Sequence, residues 1–122
     1  VSYKKYQKAG NARHYSKPYL RLYSQVLKNA KSRGHEVSFT YEDYCDIIKH
    51  NKTCHYCNRK LKWIKHGPKA YLTNLDRKNP AIGYTKRNVV AACWQCNNAK
   101  SDTFSYRDWF AMTEVLRERR SK

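Results

Sequence analysis

A chain of 122 residues has room for one small domain and an appended arm, with a core modest enough to need a staple. Its 26 Lys and Arg against 9 Asp and Glu give a formal charge of +17, and a compact domain repelling itself that strongly calls for a polyanionic partner. The basic opening Val1 to Tyr6 leads into no apolar run, so neither a signal peptide nor a membrane span is expected.

In chain order, residues 1–15 are polar, basic and interrupted by Gly10 and Asn11, an arm to be ordered on a partner. Helical periodicity starts near Ser16-Lys17-Pro18. Tyr19, Tyr23, Val26, Leu27 and Ala30 form its apolar stripe. Pro18 suits the first turn and Gly34 the stop. Lys17, Arg21, Lys28 and Lys31 fall largely off the stripe and give the helix a basic face.

Val37-Ser38-Phe39 reads as a short extended piece. Thr40 then caps a second helix with Asp43 at the third position, and Tyr41, Tyr44, Cys45 and Ile48 share its inner side. The odd cysteine, Cys45, reads as a small buried hydrophobe. Residues 16–53 thus form a helical region and 54–104 a knuckled unit. Within the unit, Ala70 to Leu75 alternates as a strand, and Val89 to Ala92 is a second one. Asn79-Pro80 and Ile82-Gly83 mark turns between them. Trp94 to Ser101 opens a helix. A last helix starts at Ser105 with Asp108 at its third position and the stripe Trp109, Met112 and Leu116, flanked by Phe110 and Val115. It ends in the basic tail Arg117 to Lys122, so that 105–122 form a C-terminal helix and tail.

Four of the five cysteines come as two C-x-x-C knuckles, Cys54/Cys57 and Cys93/Cys96. In a Lys-rich chain this pattern argues for thiolates on a metal rather than for disulfides, and so for a reducing compartment. Four thiolates suit a tetrahedral Zn²⁺ with no open position, a structural ion. It would pin together the ends of the 35-residue segment 58–92.

That segment carries Leu75-Asp76-Arg77, Gly83-Tyr84-Thr85 and Asn88-Val89-Val90, and Asn97 to Asp102 follow the second knuckle. Together these pieces resemble the HNH, or ββα-metal, endonucleases over roughly Cys54 to Thr103. The lead-in Arg33-Gly34-His35 to Tyr44 matches some members as well. The resemblance implies an α+β fold: a small ββα-metal core stapled by the zinc and flanked by N- and C-terminal helices. It implies Asp76 and Asn97 as ligands of one catalytic divalent ion, Asn88 as the residue that holds the loop, and Lys100 facing the phosphate. One carboxylate and one amide oxygen suit Mg²⁺ or Mn²⁺, hard ions that keep waters and take phosphate oxygens. Read without the resemblance, Asp76 is a strand-end carboxylate paired with Arg77 or a lysine, and Asn97 a favoured helix-start residue.

Most members carry Asp-His where this chain has Asp76-Arg77. Arginine stays protonated and has no acceptor, so it cannot be the general base, although it can grip a phosphate with two hydrogen bonds. Tyr84 is the first candidate for the base, because nearby positive charge favours a phenolate. His35, in the lead-in, and His66 are alternatives. Loop packing is the other reading of Tyr84. His55, inside a knuckle, reads as a neighbour of the zinc.

DNA contacts are expected from Lys17, Arg21 and Lys28 on the first helix and from Arg59 and Lys62 after the first knuckle, with Lys100 nearer the chemistry. The expected function is metal-dependent hydrolysis of DNA phosphodiesters. A zinc-stapled binder without catalysis, or a nuclease module of a larger nucleic-acid-targeting assembly, are the alternatives; a homodimer would cut both strands. The expected setting is inside a cell: the cytoplasm of a prokaryotic or phage-infected cell, or a eukaryotic nucleus.

Overall fold

A two-stranded antiparallel hairpin separates two cores. Strand β1 (Thr73–Arg77) pairs with β2 (Val89–Cys93), with Leu75 opposite Ala91, Asp76 opposite Val90 and Arg77 opposite Val89. Side chains alternate across a strand. Leu75, Val89 and Ala91 accordingly join one core, and Val90 and Ala92 join the other. This computed structural model describes residues 17–63 and 73–121. The predicted arm, His66 and the first residues of the predicted strand, 70–72, lie outside them.

The first core is built by α1 (Leu20–Ser32) and α2 (Tyr41–His50), with Leu22, Ala30, Phe39, Tyr44 and Ile48 buried among them. Helix α1 starts later than Pro18 predicts, because Lys17 to Tyr19 form a turn closed by Leu20 N–H on the Lys17 carbonyl, 3.1 Å. The predicted stripe needs one correction. Leu27 is 40% exposed and Leu22 is buried, since Tyr19, Leu22, Tyr23, Val26 and Ala30 define the inward arc and Leu27 lies at its edge. The Thr40–Asp43 capping box of α2 forms as predicted, with both reciprocal bonds. Cys45 is only half-buried, on the flank of the helix rather than in the core.

The second core surrounds the cysteines. It is closed by α3 (Trp94–Lys100), α4 (Tyr106–Met112) and α5 (Glu114–Arg120), with Tyr106, Trp109 and Phe110 packed against it. The single last helix predicted from Ser105 is broken. Thr113 donates its hydroxyl to the Trp109 carbonyl at 2.8 Å, a back-bond that competes with helical geometry, and the chain restarts as α5. Arg117 then faces inward, with its guanidinium 3.6 Å from the Phe110 ring centre, while Met112, Val115 and Leu116 are exposed.

Candidate functional site

The four knuckle cysteines are buried, and their sulfurs all lie within 4.8 Å of one another. Cys57 and Cys93 are 3.7 Å apart. Zinc–sulfur bonds of ~2.3 Å in a tetrahedron place sulfurs about 3.8 Å apart, so the donor set fits Zn²⁺. The backbone builds this geometry. Asn58, at φ 63°, turns the chain back so that its N–H reaches the Cys54 carbonyl. His55 N–H bonds the Ala91 carbonyl and ties the first knuckle to β2. Hydrogen bonds from Cys54 and Cys96 pull the Cys93 thiol down to about 3, while proton sharing with Cys54 and Cys93 and burial push Cys96 up. Such crowded sulfurs would be relieved by a divalent cation.

Tyr56, between the first two cysteines, is fully buried, and its hydroxyl donates to Asp76 Oδ2. Burial and that hydrogen bond push the phenol well above its ordinary range, so it remains a donor. The same oxygen of Asp76 is 3.2 Å from the Lys100 ammonium. Lys100 is only 6% exposed, so its charge is committed to Asp76 rather than displayed for a phosphate. This contact joins α3 to β1. Asn97 is one turn before Lys100 on the same helix and therefore on the same face.

Arg77 points the other way from Asp76, as alternation requires. Its Nη1 donates to the Pro80 carbonyl at 2.7 Å and to Ile82 at 3.3 Å, and its guanidinium lies 5.3 Å from the Tyr84 ring centre. Tyr84 is buried, and its hydroxyl accepts from Arg33 Nη1 at 2.8 Å. Its loop is fixed from both sides. The loop pairs with Glu36 to Ser38, an approach that needs Gly83, where a Cβ would stand 2.8 Å from the Glu36 carbonyl. Asn88 holds the other side: its Oδ1 accepts from Asn79 N–H, and its Nδ2 reaches the carbonyls of Asn79, Ile82 and Gly83. Arg33, Arg77, Asn97, Asn98, Ser101 and Asp102 line a polar cavity of about 370 Å³.

In the similarity of its coordinates to a solved structure, the chain matches the rare-cutting HNH restriction endonuclease PacI, with a TM-score of 0.63 over 82% of this chain and 77% of that one. The fold is HNH-like. Identity to PacI is 20%, so the likeness is one of fold. No family model matches the chain. An uncharacterised protein of Acanthamoeba polyphaga mimivirus is 32% identical over 79 residues, 65% of this chain; the chain spans 13% of that protein's length.

The HNH-like unit brings Asp76, Lys100 and Tyr56 together on one side of the hairpin, and Arg77, Tyr84 and Arg33 together on the other. His35 sits half-buried in the turn after α1, two residues beyond Arg33. His55 is 2.8 Å from the Tyr106 hydroxyl, and burial lowers its pKa. Arg21 and Lys28 are exposed on α1, whereas Lys17 lies against the Tyr41 ring at 5.5 Å. Arg59 and Lys62 are exposed beyond the first knuckle. Among the described residues no helix is long and apolar enough to cross a membrane. Sequence reasoning missed Arg33 and Tyr56. Arg33 precedes the Gly34 stop and so had a local marker; Tyr56 finds its partner 20 residues away, for which the sequence holds no local signal.

Proposed function

We propose that this chain is a metal-dependent DNA endonuclease of HNH type with a structural zinc at Cys54, Cys57, Cys93 and Cys96. The observation that carries this reading is the polar cavity where Arg33, Arg77 and Asn97 meet; Asp76, which precedes Arg77 on β1, is held by two partners. A DNA phosphodiester suits that cavity, because two guanidiniums offer donors to phosphate oxygens. Bound by Asp76 and Asn97, Mg²⁺ or Mn²⁺ would supply charge stabilisation at the phosphate and the leaving oxygen.

The chain's own residues would do the rest. Arg77, with one nitrogen held by the Pro80 and Ile82 carbonyls, turns its remaining donors to the scissile phosphate. Tyr84 takes the proton of the attacking water as a phenolate and becomes a neutral phenol, and Arg33, already bonded to the phenol oxygen, stabilises the phenolate before the transfer. Asn88 keeps Tyr84's loop in place. Hydrolysis would leave a 5′ phosphate and a 3′ hydroxyl. A thiolate frame would need reducing surroundings, which supports a setting inside a cell, with DNA.

One observation favours a second reading. Asp76 Oδ2 is already satisfied by Tyr56 and Lys100, as a purely structural carboxylate would be. The chain would then be a zinc-stapled nucleic-acid-binding protein. In either reading it could serve as a module, given that it spans 13% of its mimivirus relative.

Supercoiled plasmid separates the two. Wild-type protein with Mg²⁺ or Mn²⁺ should nick it, and Asp76→Asn and Asn97→Ala should not. Retained DNA binding with no nicking by any form would establish the second reading instead.

A further inference from the structure

Away from the cavity just described, Arg59, Lys60, Lys62, Trp94 and Gln95 line a recess of about 170 Å³ beside Cys93. Its wall is unusual in three respects. Arg59, Lys60 and Lys62 are all exposed, and none is ion-paired with a carboxylate among the described residues. Trp94 leaves 39% of its surface exposed, while Trp63 and Trp109 pack against the two cores. Gln95 Oε1 is buried and has no hydrogen-bond partner. A desolvated amide oxygen without a donor is costly, and a ligand N–H at this point would remove that cost.

We propose that this recess is a second nucleic-acid subsite, holding the nucleotide that flanks the scissile phosphate. The three cations take its backbone phosphate, the Trp94 indole lies against its base, and the Gln95 amide, rotated outward from its buried position, accepts from an exocyclic amino group of that base. The combination of a cationic wall, an exposed aromatic face and an unfilled acceptor is the chemistry of a nucleotide rather than of an acidic peptide, which offers no ring to stack.

Its position follows from α3. Trp94 precedes Asn97 and Asn98 by three and four residues, so all three share one helix face, and the two asparagines line the candidate catalytic cavity. One helical turn rises about 5.4 Å. A nucleic-acid strand advances about 3.4 Å along its axis per nucleotide. The recess therefore falls one to two nucleotides from the bond to be cut. That position rests on the endonuclease reading; the nucleotide contact itself does not.

The test uses the whole chain, zinc-loaded, with a short DNA duplex that carries a single-stranded overhang, whose bases are free to stack, and no Mg²⁺. DNA should quench the tryptophan emission of the wild type. Trp94→Ala should lose most of the quenching and bind roughly 5- to 160-fold more weakly, the range of one lost base stack. Lys60→Gln/Lys62→Gln should flatten the slope of log K against log salt by about 1 to 2, close to one unit per phosphate contact. One zinc per chain in each variant shows that the fold is kept. Equal quenching in Trp94→Ala with an unchanged salt slope would overturn the subsite, even if the wild type nicks DNA. A wild type that never nicks, with quenching and slope as expected, overturns the endonuclease reading and supports the subsite.

Discussion

The Tyr56 hydroxyl donates to the Asp76 carboxylate, and so the middle of a cysteine knuckle touches the candidate ligand of the catalytic ion. Tyr56 has no exposed surface, and its carbonyl is held by Arg117 Nη1 at 2.9 Å, so the hydroxyl has little freedom to move. Together with Lys100 it occupies Oδ2 and leaves Oδ1 as the oxygen for a metal. Ligand orientation by such outer partners is a strong lever on metal binding.

Tyr56→Phe keeps the ring and removes only that bond. Expected are a loss of about 1.5–3 kcal/mol in stability, the range for a hydrogen bond to a charged group, and roughly tenfold weaker Mn²⁺ binding. Zinc content should be unchanged. Calorimetric Mn²⁺ titration beside a urea melt reads both, and wild-type Mn²⁺ affinity in the variant would remove Tyr56 from the site.

Why Tyr56 escapes sequence reading while the zinc frame does not is a matter of range. The C-x-x-C spacing and the Thr40–Asp43 and Ser105–Asp108 caps are local, and the structure contains each of them, whereas the extension expected over Val37 to Phe39 is reduced to a single bridge at Val37. Periodicity also placed β2 and α3. It misled where neighbouring elements decide burial. Leu27 and Leu116 look like core residues by spacing, yet Leu22 and Arg117 face inward instead, the first within the arc of Tyr19, Tyr23, Val26 and Ala30 and the second after the break at Thr113. The pairing of Lys100 with Asp76 is what the plain reading of a strand-end carboxylate expects. Alternation also sends Asp76 and Arg77 to opposite sides of the hairpin, a separation visible once register is known.

The Asp76–Lys100 pair complicates the simplest loss-of-function variant. Both side chains are mostly buried, so Asp76→Ala strands an ammonium and should cost about 3–5 kcal/mol as well as abolishing nicking. Lys100→Met in the same chain should recover much of that stability, since the charge is gone, without recovering nicking. Urea midpoints of the single and double variants decide this. A double variant no more stable than Asp76→Ala would mean that the pair is not what stabilises this region.

Arg33 and Tyr84 should behave as one unit, because the guanidinium reaches the phenol oxygen at 2.8 Å. Tyr84→Phe removes the proposed base and should slow nicking by about 10²-fold or more. Arg33→Gln should slow it by a smaller factor, and adding it to Tyr84→Phe should change little. Additive losses in the double-mutant cycle would show that Arg33 acts on something other than Tyr84.

Removing the zinc proposed at the four cysteines should dissolve the two cores unequally. The core of Val90, Ala92 and Tyr56 is assembled around the cysteines, and α5 is moored to it by Arg117 on the Tyr56 carbonyl and Arg120 on the Cys57 carbonyl. The core of Leu22, Phe39, Tyr44 and Ile48 has aromatic packing of its own, with Tyr23 and Tyr44 at 5.7 Å and Tyr44 and Trp63 at 6.2 Å. Metal binding free energy is folding free energy where ligands and fold form together. A chelator should therefore abolish amide-exchange protection in α3 to α5 first, while α1 and α2 keep measurable protection. Uniform loss across all five helices would mean that the hairpin transmits the collapse and that the two cores are one cooperative unit.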